Sequence, residues 1–162
     1  MKKNIVFITA LASLLAGAFL ILGGICATLY TYQSVAAEKI TTPKDATIPE
    51  APVRGPITLK VQADTIRMHT MKTTEGKTFA EMPRMIPKLD EAGQPVLDEK
   101  GEPVMVQNEK RFGSWIPAVT LMTALQLGVL SYAFSALAIA LGALFLLNGC
   151  ALLAIRRALP VV

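Results

Sequence analysis

Two long runs without a charged residue constrain what this chain can fold into. No charged residue lies between Lys3 and Glu38, and none lies between Arg111 and Arg156. A membrane-spanning helix needs about 20 apolar residues to cross a hydrocarbon core of about 30 Å, and both runs exceed that length. The hydrophobic share of 52% and the mean hydropathy of +0.47 are high for a soluble domain. The sequence therefore predicts a membrane α-protein, a two-pass transmembrane helical hairpin.

The charges predict how this hairpin is oriented. All 12 acidic residues and 12 of the 16 lysines and arginines lie between the two runs. The net charge of +4 therefore comes from two short basic tails, so the chain gives no reason to expect a nucleic-acid partner. Lysine and arginine next to spans tend to remain cytoplasmic. We expect a multi-pass protein of the plasma membrane with both termini cytoplasmic and residues 33–115 extracytoplasmic.

The predicted organisation has six parts along the chain. They are a cytoplasmic tail (1–4), transmembrane helix 1 (5–32), a Pro-rich linker (33–56), an extracytoplasmic module (57–115), a long helix that includes transmembrane helix 2 (116–155) and a second cytoplasmic tail (156–162). We expect the linker to be extended, because it holds four prolines between Ile40 and Pro56.

Two rival interpretations of the apolar runs stay open at this level. Residues 1–37 could be a cleaved signal peptide ending at Val35-Ala36-Ala37, although a signal core usually has about 7 to 15 apolar residues. The second run, about 60 Å long as one helix, could instead hold a tight pair of spans. That pair would need a polar turn near Gly128, and it would leave Arg156 outside. We therefore favour one long helix beginning near Pro117.

Small and aromatic residues suggest how the spans pack and where the membrane surface lies. Small residues at four-residue spacing let helix backbones approach closely in lipid. The predicted helix-packing residues are Ser13, Gly17, Gly128, Ala136, Ala140 and Gly142. The predicted membrane-interface anchors are Tyr30, Tyr32, Trp115 and Tyr132. Cys26 and Cys150 should lie at different depths, so no disulfide between them is expected.

The outer module is predicted to be α+β or to contain β-hairpins. The alternation in residues 57–62 predicts a half-buried strand. Residues 63–71 favour a short helix capped by Asp64.

An eight-residue phrase occurs twice in this module, as LDEAGQPV at 89–96 and LDEKGEPV at 97–104. A calcium loop would alternate its oxygen ligands and end in a bidentate glutamate, and neither copy does so. Aspartate and glycine at these positions favour tight turns. We therefore expect hairpin repeats at 89–104, formed as a three-stranded meander.

His69 is the only histidine, and its sequence neighbours identify no orienting group. The nearest carboxylates that could join it are Asp64 and Glu81. This is a weak basis for catalysis or metal binding. The sequence accordingly predicts no catalytic, cofactor-binding or metal-binding residues, and no cofactor.

Two short motifs suggest a family. Residues 63–70, Ala-Asp-Thr-Ile-Arg-Met-His-Thr, and residues 75–81, Glu-Gly-Lys-Thr-Phe-Ala-Glu, resemble a family of small, uncharacterised two-pass membrane proteins of actinobacteria. The family pattern is Ala-Asp-x-Ile-x-x-His followed by Gly-Lys-Thr-Tyr-Ala-Glu, and Phe79 stands at the tyrosine position. Relative to the family, the doubled phrase resembles an insertion. Some relatives carry the label aromatic ring-opening dioxygenase, which one histidine without an iron-ligand set does not support.

The expected function is that of a non-catalytic integral membrane protein. We expect an accessory or scaffolding subunit of a larger membrane or cell-envelope complex, with the lipid bilayer and either that complex or further copies of the chain as partners. Two alternatives remain: an extracytoplasmic sensor or ligand-binding module, and a membrane-anchored enzyme that uses His69.

Overall fold

The computed structural model describes residues 2–158 of the chain. Its helices are α1 (Lys2–Ala37), α2 (Pro56–Thr73) and α3 (Ile116–Ala158), with a 3-10 turn at Phe79–Glu81 and a π-helical turn at Lys110–Trp115. Two short strands, β1 (Met85–Pro87) and β2 (Met105–Gln107), form an antiparallel sheet. Residue 1 and residues 159–162, which belong to the two predicted tails, lie outside the described residues.

The chain divides into two compact units. Within the described residues, unit 1 comprises 2–40, 52–57 and 127–158, and unit 2 comprises 41–51 and 58–126.

Unit 1 is built from α1 and most of α3, which are long and apolar enough to cross a membrane. Their most apolar windows are only 17% and 11% buried inside the protein. This confirms a mainly helical fold with two long apolar helices. Because α3 runs unbroken from Ile116 to Ala158, the rival interpretation of a tight pair of spans is wrong.

The strand predicted at residues 57–62 is wrong, because this stretch belongs to α2. Six residues of alternation are too few to separate a period of 2 from a period of 3.6. The helical spacing becomes visible over a longer stretch, since Leu59 and Ala63 lie one turn apart and are both buried. Asp64 does not cap this helix; it lies inside α2 and pairs with Lys60 one turn away.

Residues 41–51 form a folded loop rather than the extended linker predicted there. Thr42 is 2% exposed, and its hydroxyl donates to Ile48 O at 2.6 Å and accepts from Ala51 N at 2.9 Å. The backbones of Thr42 and Ala51 are also bonded at 2.9 Å. The buried hydroxyl of Thr42 thus holds this loop together, whereas its prolines alone predicted an extended segment without regular structure.

The doubled phrase forms the two expected hairpins. Gly93 N donates to Asp90 O and Gly101 N donates to Asp98 O, each at 3.0 Å, and both glycines have a positive φ (77° and 80°). A turn followed by a left-handed residue is a common three-residue hairpin loop. Isolated bridges join Leu89 to Pro95 in the first hairpin and residues 97 and 103 in the second.

The two hairpins do not form a meander, because the first and third chain segments also pair with each other. Val96 N donates to Lys88 O, Val104 N to Val96 O, and Lys88 N to Val104 O, at 2.7 to 2.8 Å. Pro87 pairs with Met105 in the β1–β2 sheet and completes the third side. Residues 87–89, 95–97 and 103–105 therefore form a closed three-sided ring, called the ring below.

The chain that follows the ring is tied to the segment that precedes it. Asn108 N donates to Arg84 O, and its side-chain Nδ2 donates to Pro83 O, both at 3.0 Å. The Arg111 guanidinium lies 4.0 Å from the centre of the Phe79 ring and donates to Met82 O. Hydrogen bonds and a cation–π contact thus connect the segment just before β1 to the segment just after β2.

Candidate functional site

The clearest constructed feature of unit 1 is a seam of small residues between α1 and α3. A Cβ built on Gly17 would lie 2.7 Å from Gly142 O, and one on Gly24 would lie 2.8 Å from Ser135 O. A Cβ on Gly149 would lie 3.0 Å from Ala10 O. The two helices therefore run antiparallel at a separation that only a missing side chain allows.

The seam repeats every seven residues on both helices. Its members are Ala10, Gly17, Gly24 and Thr31 on α1, and Ser135, Gly142 and Gly149 on α3, and all seven are buried. A seven-residue period keeps one face of a helix against its partner when the pair supercoils to the left. This period was missed in the sequence, where the four-residue spacing was followed instead. Gly24, Ser135 and Gly149 could have been found by testing small residues at steps of seven.

The structure separates the predicted packing residues into two groups. Gly17 and Gly142 meet at the seam, and Ser13 is buried beside it. Gly128 is half-buried. Ala136 and Ala140 are exposed, so they take no part in the contact between α1 and α3. The physical reason is the period: a four-residue step drifts around the helix and leaves the face that a seven-residue step keeps.

Two hydrogen bonds between side chains flank the seam. Asn148 Nδ2 donates to Ser13 Oγ at 3.0 Å, and Thr31 Oγ1 lies 2.7 Å from Ser131 Oγ. Thr31 also donates to Ala27 O within its own helix. Hydrogen bonds of this kind between helices in lipid contribute about 0.6 kcal/mol each on average. They fix the register of α1 against α3 more than they add to its stability.

A cleft of about 280 Å³ opens beside the seam. Its lining is made of small and apolar residues from both helices: Gly23, Gly24, Ala27, Ser131, Phe134, Ser135 and Ala138. The two serine hydroxyls are already engaged, since Ser135 Oγ donates to Ser131 O at 2.9 Å and Ser131 Oγ lies against Thr31. The cleft therefore offers an apolar surface without an uncommitted hydroxyl.

Three of the four predicted interface anchors lie in unit 1. Tyr132 Oη donates to Arg54 O at 2.6 Å, and Arg54 Nη1 lies 3.4 Å from Tyr32 Oη. Tyr30 is 74% exposed. Near the opposite ends of the two helices, the Arg156 guanidinium lies 4.2 Å from the centre of the Phe7 ring. Both ends of the helix pair thus carry an arginine beside an aromatic ring.

The fourth predicted anchor, Trp115, is largely buried. It belongs to unit 2 and is only 8% exposed, so its side chain contributes to the interior of that unit. Tryptophan is both the largest apolar side chain and a frequent interfacial residue, and the sequence could not separate these two uses.

His69 is paired with a carboxylate that the sequence did not suggest. Its Nε2 lies 2.7 Å from Asp45 Oδ2, in the folded loop at 41–51. The hydrogen bond from His69 holds the pKa of Asp45 below its ordinary value, and the charge on Lys72 adds to this effect. Both side chains are about half exposed, so the contact attaches the loop to α2 on the protein surface.

The two carboxylates considered for His69 have other partners. Asp64 pairs with Lys60. Glu81 Oε2 accepts from both the amide and the hydroxyl of Thr78 at 2.7 Å, and these hydrogen bonds lower the pKa of Glu81. Among residues 2–158, no three His, Cys, Asp or Glu side chains are grouped so as to hold a metal ion.

The aspartates of the doubled phrase also have internal partners. Asp90 Oδ1 accepts from Ala92 N and Gln94 N, at 2.9 and 2.8 Å. Asp98 Oδ1 repeats the pattern in the second copy with Lys100 N and Glu102 N. These carboxylates stabilise their own turns, as the turn interpretation of the sequence expected.

No family model, no curated protein and no solved structure matches this chain, so its function has to be inferred from the geometry of its own residues.

Proposed function

We propose that this chain is a non-catalytic integral membrane protein, an accessory or scaffolding subunit of a larger membrane or cell-envelope complex. The observation that carries the proposal is the surface of unit 1. The helices meet along a narrow seam of small residues, while their large apolar side chains remain uncovered.

The uncovered side chains suit lipid better than water. Phe19, Phe134 and Leu147 are 77%, 62% and 67% exposed. Burying one such side chain is worth about 1.5 to 3 kcal/mol, and a face made of many of them requires an apolar environment. Both helices satisfy their backbone hydrogen bonds internally, which is the condition for crossing a bilayer.

The length between the charged and aromatic ends fits a bilayer. From Tyr132 to Arg156 an α-helix rises about 36 Å, and from Phe7 to Tyr32 about 37 Å. A hydrocarbon core of about 30 Å would leave the tyrosines and arginines in the interfacial zones. We propose that the Tyr32, Arg54 and Tyr132 group lies on the extracytoplasmic side, that residues 33–115 are outside, and that both termini are cytoplasmic. The motifs at 63–70 and 75–81 agree with membership of the actinobacterial two-pass family, which we retain as part of the proposal.

Cysteine labelling tests the topology. In a chain with Cys26→Ala and Cys150→Ala, a membrane-impermeant maleimide should label Ala92→Cys in intact cells and label Asn4→Cys only after permeabilisation. Labelling of Asn4→Cys in intact cells would overturn the proposed orientation.

Purification in a mild detergent tests the accessory role. The chain, carrying an affinity tag, should leave the native membrane together with defined membrane-protein partners in a fixed ratio. A variant with the seam broken, Gly17→Leu, should lose these partners, while the exposed-surface variant Gly23→Ala should keep them. Recovery of the wild-type chain as a clean monomer would contradict the proposal.

Replacing His69 separates this role from an enzymatic one. A His69→Ala chain should keep its partners and its cellular phenotype, because His69 serves to attach the loop at 41–51. Loss of the phenotype with complete retention of partners would favour an enzyme instead.

A further inference from the structure

Six apolar side chains of the ring share one face. Successive residues of an extended segment point to opposite faces, and residues directly opposite each other across an antiparallel pair point to the same face. The pairs Leu89 with Pro95, Leu97 with Pro103, and Pro87 with Met105 connect the three sides in turn. One face therefore carries Pro87, Leu89, Pro95, Leu97, Pro103 and Met105, and is called the apolar face below. The other carries Lys88, Val96 and Val104.

The two faces differ in exposure. All six residues of the apolar face are exposed, with Leu89 at 57%, Leu97 at 58% and Met105 at 49%. On the other face the two valines, Val96 and Val104, are half-buried, and Lys88 is exposed. A small protein surface can leave single apolar residues exposed without meaning, but six that share one rigid face mark an interaction site.

The prolines limit how a partner can bind. Each side of the ring has a proline at one bridge position, and proline has no N–H to donate. Adding a further strand to such an edge is therefore disfavoured. Recognition has to use the side chains of the apolar face, which the closed cycle of hydrogen bonds at residues 88, 96 and 104 holds in place.

The net charge of the segment that carries the apolar face selects the kind of partner. Residues 85–107 contain five carboxylates, at Asp90, Glu91, Asp98, Glu99 and Glu102, against two lysines. An anionic lipid surface would be repelled, and a second copy would bring the same acidic border against itself. A protein surface with lysine or arginine around an apolar pocket complements both properties.

We propose that the apolar face of the ring is a docking surface for a partner protein that presents an apolar pocket bordered by basic residues. This rests on the accessory role proposed above and identifies the surface through which the partner is held. Apolar contacts from residues 89, 97 and 105 supply the affinity, and the acidic turns set orientation and association rate.

Site-specific photocrosslinking in native membranes tests the proposal with the full chain. The probe is benzoylphenylalanine, placed at Leu97 on the apolar face or, as a matched control on the other face of the same ring, at Lys88. Leu97 should give a crosslink to a different protein, and Lys88 should not. Reversing two rim charges, Glu91→Lys with Glu99→Lys, should reduce the Leu97 product about tenfold, and high salt should weaken it as well. The neutral pair Glu91→Gln with Glu99→Gln should fall between the two.

When a crosslinked product forms, four results would overturn the proposal. They are a Leu97 product with lipid alone, a product with twice the mass of the chain, equal products from both probe positions, and a product that charge reversal leaves unchanged. Hydrogen exchange at the Val96 and Val104 amides verifies that each variant keeps the ring. If partners still copurify but Leu97 gives no heterologous product, the docking surface is wrong and the accessory role stands. If the wild-type chain copurifies with nothing, the accessory role fails too.

Discussion

Both units expose apolar side chains, but they do so on different kinds of backbone. In unit 1 the exposed residues lie on helices whose backbone groups bond within the helix. In unit 2 they lie on a ring with three bridges, prolines at its edges and carboxylates in the turns between its sides. Lipid can cover the first surface without leaving polar groups unpaired, whereas the acidic border and irregular backbone of the second suit a protein. Exposure alone therefore does not identify what covers a surface, and the two proposals rest on the backbone and on the charge beside it.

The glycines sharpen the same comparison. Gly17 in the seam needs to lack a side chain because another backbone occupies the space. Gly93, in the turn between the first two sides of the ring, has nothing within 4 Å of a built Cβ, and this position needs glycine because of its φ of 77°. The seam therefore requires glycine for its small volume, and the hairpin turn requires glycine for its backbone conformation.

The largest expected effect comes from adding one methyl group to the seam. In Gly17→Ala the new Cβ would meet Gly142 O at 2.7 Å and Leu146 N at 2.9 Å, and neither backbone atom can rotate away. We expect a loss of about 2 kcal/mol in the free energy of unfolding, measured by SDS titration in mixed micelles. Gly23→Ala is the matched control, because a Cβ there meets nothing within 4 Å. Equal stability of the two variants would show that the helices do not approach at the seam.

A change at Gly93 should act only on the ring. Gly93→Ala should destabilise the first hairpin by about 1 kcal/mol, because alanine resists the left-handed conformation, and Gly93→Asn should cost less. The measurement is faster hydrogen exchange at the Val96 amide, with the SDS titration of unit 1 unchanged. If alanine and asparagine behave alike, the turn does not depend on its positive φ.

Much of the architecture could be predicted from the sequence, for reasons that are visible in single residues. The long uncharged runs predict helices. Asp90 and Gly93 predict their turn because other residue types rarely occupy these two turn positions. Ring closure could not be predicted. Pro87 and Met105 belong to the first and third sides of the ring, but they lie outside the two copies of the acidic phrase. The sequence therefore shows two repeats, whereas the ring is built from three segments.

The parts of the site that the sequence missed depend on contacts between distant residues. Asp45 is 24 positions from His69, and no spacing rule connects them. Trp115 could fit an interface or an interior equally well. The seam was missed for a different reason, since its seven-residue period was present in the sequence but competed with abundant glycine and alanine at other spacings.

A smaller effect should come from the polar contacts beside the seam. Removing the hydrogen bond from Asn148 to Ser13 with Ser13→Ala should cost about 0.6 kcal/mol. A double-mutant cycle with Asn148→Ala, followed by SDS titration, isolates the interaction between the two side chains. A coupling energy near zero would mean that the seam sets the register of the helices without them.

The smallest expected effect is a dependence on pH in unit 2. The pKa of Asp45 is lowered in the folded protein by its hydrogen bond with His69. Its contribution to stability is therefore present above the unfolded value of about 3.9 and is lost as the pH falls through the lower folded value. Below about pH 4 we expect lower protection from hydrogen exchange, relative to the intrinsic rate at each pH, in the loop at 41–51, with no change in unit 1.

The substitution Asp45→Asn provides the control for this measurement. In this variant the protection of the loop should no longer fall in the acidic range. If the wild-type chain and the variant respond to acid in the same way, the ionised carboxylate does not hold the loop.

The register of the ring has a consequence for how such a segment can change in length. The pair Pro87 with Met105 and the pair Leu97 with Pro103 lie on ladders offset by eight residues, the length of the repeated phrase. A chain without residues 90–97 would bring Leu89 opposite Pro103, directly in line with the β1–β2 pairs, and would keep the turn from Asp98 to Gly101. A plain hairpin and a three-sided ring are thus separated by a single duplication of eight residues. Copy number at this one turn is a simple genetic route by which related chains could gain or lose the apolar face while their long helices stay the same.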